Sequence, residues 1–113
     1  MCSIRMPSPE YTENDVCYCT VEICNADNGT FYQIPLFVVL NVYGSYYFAP
    51  SFGDFDFYRV TVPPGKMSLE VLPEFRWPAG VGSASGICWL AAMTNSGMSD
   101  IIGTMGSFTF GWY

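Results

Sequence analysis

Apolar and polar positions alternate along most of the chain, with a period of two. The longest apolar run is LFVVLNVYGSYYFAPSF, Leu36 to Phe52. Read as one extended strand, it sets Leu36, Val38, Leu40, Val42, Tyr46 and Phe48 on one face and Phe37, Val39, Tyr43 and Tyr47 on the other. A strand buried on both sides has this composition. Its β-branched and aromatic residues favour a strand, and Gly44 and Pro50 oppose a helix. The run therefore predicts a central strand over 36–48 against which the others pair and pack.

Two further stretches carry a clear alternation. In Val16–Asn25, Cys17, Cys19, Val21 and Ile23 face inward, with Tyr18, Thr20, Glu22 and Cys24 outward. In Met67–Trp77, the apolar set Met67, Leu69, Val71, Phe75 and Trp77 alternates with Ser68, Glu70, Glu74 and Arg76. Pro73 interrupts this strand and marks an edge or a bulge. Shorter strands are expected over 3–7, 57–62, 87–94 and 107–113. Turn-forming residues fill 8–15, 26–30, 50–56, 63–65 and 78–86. Asn95 to Gly106 is expected to hold one short helical turn near 96–103, with Asn95 or Ser96 as N-cap and Met98, Ile101 and Ile102 packing inward. The whole pattern predicts one all-β domain over residues 1–113, an antiparallel immunoglobulin-like β-sandwich of about six to eight strands.

The length, 113 residues, suits a single domain. Hydrophobic residues make up 50% and charged residues only 12% of it, so material for a core is ample. The net charge is -6, and the bases Arg5, Arg59, Lys66 and Arg76 do not cluster. A nucleic-acid backbone or an anionic membrane surface would be repelled. The first residues contain no apolar signal segment, and no run reads as a membrane span. The expectation is either a non-secreted protein or a piece of a longer chain addressed from elsewhere.

Histidine is absent. Ser-His-Asp and Cys-His catalysis and histidine-ligated zinc are thereby excluded. The five cysteines are Cys2, Cys17, Cys19, Cys24 and Cys88, so at least one is unpaired within the chain. Cys17 and Cys24 cannot bridge along one strand, because seven residues span ~23 Å and bridged Cα atoms lie ~5–6 Å apart. Two readings remain: a Cys19–Cys88 bridge between facing strands, or five thiols acting as small apolar fillers. The glycine-rich stretch Gly80–Gly86 lacks the lysine of a phosphate loop and precedes a strand, so it reads as a loop of small residues.

Asp54 and Asp56 share a loop and are candidate Ca²⁺ ligands, with Glu10, Glu13 and Asp15 as a second acidic loop; the plainer reading is solvated loop acids. No other cofactor is implied. Asn28-Gly29-Thr30 matches a glycosylation acceptor at Asn28. Aromatics are over-represented between Tyr43 and Tyr58. Most belong to a core by this reading, and Tyr46, Tyr47, Phe52 and Phe55 are candidates for an exposed binding platform.

Taken together, DVCYCTVEICN, LFVVLNVYGSYYFAPSF, LPEFRWPAGVGSASGICWLAAMTN and GSFTFGW resemble a small β-sandwich module of bacterial and archaeal extracellular or surface proteins. The chain is also similar to CARDB-type (cell-adhesion-related) immunoglobulin-like domains. The likeness covers about residues 3 to 113. It implies a non-catalytic module at a cell surface or outside the cell, without catalytic or binding residues that carry over. The expected role is structural or interactive: adhesion, spacing or subunit–subunit contact with protein neighbours or with itself, the aromatic C-terminal strand being suited to strand addition. The alternative is a carbohydrate-binding module that stacks sugar rings on exposed aromatics.

Overall fold

A computed structural model describes residues 2–113. Among the described residues the chain forms nine strands: β1 (Cys2–Arg5), β2 (Glu10–Tyr11), β3 (Val16–Asn25), β4 (Phe31–Val42), β5 (Ser45–Phe48), β6 (Tyr58–Val62), β7 (Gly65–Arg76), β8 (Ala84–Thr94) and β9 (Ile101–Trp112). They build two packed sheets, one of order β1-β3-β7 and one of order β2-β9-β8-β4-β5, with β6 also on β4. The protein is a β-sandwich. Its pairs are antiparallel except β2 on β9, which is parallel.

The inner faces follow the alternation read from the chain. β3 turns Cys17, Cys19, Val21 and Ile23 into the core, all essentially inaccessible. The opposing sheet contributes Leu36 and Val38 from β4, Ile87, Trp89, Ala91 and Met93 from β8, and Phe110 from β9. Pro73 lies on β7, which is an edge strand and is bulged: Cys17 pairs with Phe75, but Cys19 pairs with Leu72. Leu72 thereby joins the core side.

The central apolar run is not one strand. It folds back at Tyr43-Gly44, both with positive φ (51° and 87°), and β5 returns along β4. Positive φ at both central residues is the twist that a two-residue hairpin requires. The Asn41 carboxamide oxygen accepts the Gly44 N–H at 2.9 Å and supports the turn. The fold-back changes the faces. Phe48 pairs with Val39 and so lies on the outer face, rather than beside Leu36 and Leu40.

The expected helical turn near 96–103 is replaced by a β-turn loop and the start of β9. Asn95 accounts for this. Its side-chain oxygen accepts the Ser99 N–H at 2.9 Å, and its backbone N–H donates to the Asp100 carbonyl at 3.0 Å. These bonds close a β8–β9 connection instead of starting a helix. Ile102 packs against the core, whereas Met98 and Ile101 are exposed.

Of the two cysteine readings, the Cys19–Cys88 bridge is not formed. Both residues are free thiols. Cys19 faces the interior, while Cys88 alternates with the buried Ile87 and Trp89 and so lies on the outer face of its sheet. Desolvation pushes the Cys19 thiol up to about 12 and raises Cys17 and Cys2, which leaves these thiols protonated and inert at neutral pH. Iodoacetamide at neutral pH is expected to label Cys88 in the native protein, and Cys17 and Cys19 only as the domain unfolds. Peptide mapping after denaturation without reductant checks both this order and the absence of a Cys19–Cys88 bridge.

The two sheets approach closely at Gly106 on β9. A Cβ there would stand 2.6 Å from the Cys2 carbonyl oxygen, a backbone atom that cannot yield cheaply. Gly106→Ala is expected to lower stability by about 1–3 kcal/mol in urea denaturation. Gly29→Ala, in open space, is expected to leave stability nearly unchanged.

Candidate functional site

β5 and β6 lie in succession along the same edge of β4. Phe48 pairs with Val39, the Ala49 N–H donates to the Val38 carbonyl, and Tyr58 then pairs with Leu36. Residues 50–57 are therefore an excursion from one interrupted edge strand. Most sequence-predicted site residues sit on or beside it.

The excursion is held by Asp56. Its carboxylate accepts the Ser51 N–H at 3.2 Å and the Phe57 N–H at 2.8 Å. The Phe48 N–H donates to the Gly53 carbonyl and the Phe52 N–H to the Phe48 carbonyl. Bonds from Ser51 and from the Phe57 amide hold the Asp56 carboxyl below its usual value of 3.8. A carboxylate whose folded value is depressed supports the loop above the ordinary carboxylate range, and that support is lost as pH falls through its own lower value.

The four aromatic candidates divide between two surfaces. Phe52 turns inward and meets the Trp89 ring edge-on, with centroids 6.1 Å apart. Phe55 turns outward and joins Phe37, Phe48 and Phe57 on the outer face, with centroid spacings from 5.3 to 6.4 Å. The Arg59 guanidinium lies 5.3 Å from the Phe57 ring centre and closes one side of this cluster. Tyr46 and Tyr47 are exposed on β5, on opposite faces, because they pair with Asn41 and Leu40 respectively. The rings of the outer cluster are tilted by 41° to 83° to one another, so they present edges and faces mixed rather than a flat platform.

The acidic candidates do not converge. Among the described residues no three of His, Cys, Asp and Glu come together as a metal-binding group. Asp56 is engaged with backbone amides, and Asp15 in the other acidic loop accepts the Thr12 N–H at 2.9 Å. Asn28 lies exposed in the 26–30 loop, beneath which buried Asn25 donates to the Gly29 and Val62 carbonyls. The glycine-rich stretch contributes Ser83 to Gly86 to a shallow groove of about 670 Å³, where the Tyr43 hydroxyl accepts the Ser85 N–H. No lysine or arginine lines this groove, so an anion would find no countercharge there.

The feature that only pairing reveals is the set of sheet edges. β1 is four residues long, β7 carries Pro73, Lys66, Glu70 and Glu74, and the β5–β6 edge is broken by the excursion. These are ordinary guards against unwanted strand pairing. β9 differs. Among the described residues its outer edge is hydrogen-bonded only by β2, at Gly111 and Trp112, with the Gly111 N–H donating to the Pro9 carbonyl, while β1 of the other sheet lies against it at Gly106. The stretch Ile101–Thr109 carries no charged residue and no proline, and Ile101 and Met105 are 55% and 56% exposed.

Among the described residues, no helix is long and apolar enough to cross a membrane. No protein-family model, curated protein or solved structure matches the chain.

If Asp56 holds the excursion, Asp56→Ala should raise hydrogen exchange at the Ser51 and Phe57 amides at least tenfold and leave β3 and β8 protection unchanged. Amide-resolved NMR exchange measures this directly.

Proposed function

We propose that the protein is a non-catalytic interaction module that joins a second copy of itself by strand addition at β9. The observation that carries this reading is the uncharged, unpaired β9 edge over Ile101–Thr109. Such an edge is a template for main-chain pairing. Two β9 strands related by a two-fold axis run antiparallel to each other, so the contact is self-complementary.

Charge supports the choice of occupant. Each copy carries a net charge of -6, and two copies repel unless the acids stay away from the contact. From Trp77 to Tyr113 the only charged side chain is Asp100. β8 and β9 thus form the part of the surface where like-charged copies meet at least electrostatic cost.

The order β1-β3-β7 against β2-β9-β8-β4-β5 supports the finer, immunoglobulin-like reading. The first segment pairs with one sheet through β1 and crosses to the other through β2, and β5 extends the sheet beyond β4 as in variable-type sandwiches. The setting we assign is the one the sequence resemblance implies, a surface or extracellular assembly. The tilted ring cluster gives the carbohydrate alternative no specific support.

Light scattering coupled to size exclusion, over a concentration series, tests the reading. The wild-type chain is expected to shift from monomer to dimer, and more readily at higher salt, which screens the net charge. Met105→Lys places a charge on an exposed edge position and should hold the chain monomeric throughout, with an unchanged circular dichroism spectrum. A wild-type chain that stays monomeric to millimolar concentration, or a Met105→Lys variant that dimerises equally well, overturns it.

A further inference from the structure

The chain has five asparagines, and one of them, Asn28, is followed by glycine. Asn28-Gly29 sits in the loop between β3 and β4, and both residues are exposed. The base of this loop is tied down from below. The buried Asn25 carboxamide accepts the Asp27 N–H at 2.9 Å and donates to the Gly29 carbonyl at 3.0 Å and the Val62 carbonyl at 3.2 Å. Asn28 itself is left out of this network. Among the described residues, neither its carboxamide nor the Gly29 N–H has a hydrogen-bond partner.

Nothing crowds this junction. No atom comes within 4 Å of the place a Gly29 Cβ would occupy, and glycine leaves the backbone there its widest choice of φ and ψ. An unbonded, unhindered backbone nitrogen is able to turn onto the carboxamide carbon of the residue before it. The other four asparagines are each restrained. Asn25 is 6% exposed and bonded through both its oxygen and its nitrogen. Asn41 precedes the β-branched Val42 inside β4, and its oxygen accepts the Gly44 N–H. The Asn95 carboxamide is bonded to Ser99 through both of its heavy atoms. The nitrogen that follows Asn14 belongs to Asp15 and donates to the Thr12 carbonyl at 3.1 Å.

We propose that Asn28 is a modification site at which the chain deamidates itself. The Gly29 backbone nitrogen gives up its proton to water and attacks Asn28 Cγ. The new N–Cγ bond closes a succinimide ring as the Cγ–Nδ2 bond breaks, and the departing amide nitrogen takes up a proton and leaves as ammonia. Water then opens the ring. Attack at Cγ gives aspartate. Attack at the Asn28 backbone carbonyl carbon gives isoaspartate, in which the main chain runs through the former side chain. One water is consumed, one ammonia is released and no electron changes hands. Either product adds a negative charge to a chain that already carries -6.

The two products differ in what they do to the loop. Aspartate keeps the backbone as it was. Isoaspartate inserts a methylene into the main chain immediately before Gly29 and so displaces the carbonyl that Asn25 holds. Asn25 is buried, so the donor that loses this acceptor finds no water in its place, and the loop loses its anchor.

The test ages the wild-type protein at neutral pH and follows ammonia release and peptide masses. Deamidation is expected at Asn28, with both products present, while Asn14, Asn25, Asn41 and Asn95 stay intact in the folded protein. Gly29→Ala, which has open space for its methyl group, should fold normally and slow the reaction several-fold. In ¹⁵N-labelled protein the Asn25 side-chain amide resonances should gain a second set as isoaspartate accumulates, and that set should be missing from Asn28→Asp. The isoaspartyl form should also unfold at lower urea than Asn28→Asp, which has the same charge and an ordinary backbone. An Asn28 that stays intact, another asparagine that reacts as fast in the folded protein, or Gly29→Ala reacting at the wild-type rate would each overturn the site. Asn25 resonances that do not change in the isoaspartyl form would overturn the release of the loop.

Discussion

The fold depends on filling the space between two sheets whose inner faces differ in size. Packed sheets lie ~10 Å apart. β3, the central strand of the smaller sheet, offers small side chains: Cys17, Cys19, Val21 and Ile23, with Asn25 at its end. The larger sheet must supply the volume, and it does so with Trp89, Met93, Phe110 and Leu36. Cys19 and Cys88 point to different faces, so this packing, rather than a bridge between them, joins the layers. At one end the fit is backbone against backbone, Gly106 on Cys2. At the other, rings of Tyr11, Trp77, Phe110 and Trp112 hold the layers apart.

Much of this was legible in the chain because burial on one face leaves a period-two signal. β3 was readable residue by residue, and β7 as far as the disturbance at Pro73, since each has one wet face; beyond it the bulge brings Leu72 to the core and leaves Phe75 exposed. The Leu36–Phe52 run misled for the opposite reason. With apolar residues on both faces, periodicity carries no phase, and a two-residue hairpin passes unnoticed inside it. Tyr43 hid the turn further, because a tyrosine at positive φ is not a turn signal, and Asn41, which supports it, reads as a strand residue. The 95–106 segment failed through Asn95, whose carboxamide serves a helix cap and a loop closure equally well. β2 has two residues and no pattern to detect. Among site residues, the division of Tyr46, Tyr47, Phe52 and Phe55 between faces depended on that hidden turn and on the 50–57 excursion, neither of which period-two reasoning sees.

Charge is distributed in a way that composition alone conceals. Arg5 pairs with Glu22 across β1 and β3 at 3.0 Å, Arg76 donates to the Asn14 carbonyl, and Arg59 donates to the Gln33 carbonyl while lying over Phe57. These groups are exposed, so each contact contributes little to stability. Their effect is positional: the arginines stay on the smaller sheet and on the β6 side of the larger one. β9 keeps its outer face wet with hydroxyls, Ser107 and Thr109, beside Leu90 and Cys88 of β8, rather than with charge.

That difference bears on how the two halves of the molecule avoid aggregation. A charged edge strand repels copies at every approach, whereas an uncharged one is restrained only by shape. β9 carries a register shift against β8, between the pairs Met93–Ile102 and Ala91–Gly106, that disturbs its ladder inside the free stretch. Such irregularities bend a strand and limit pairing to the few partners that match the curve. The strand that best matches a bent β9 edge is another β9 with the same bend, brought round by a two-fold axis. An irregularity that guards this edge against indiscriminate pairing would, in the self-association proposed above, also select the partner.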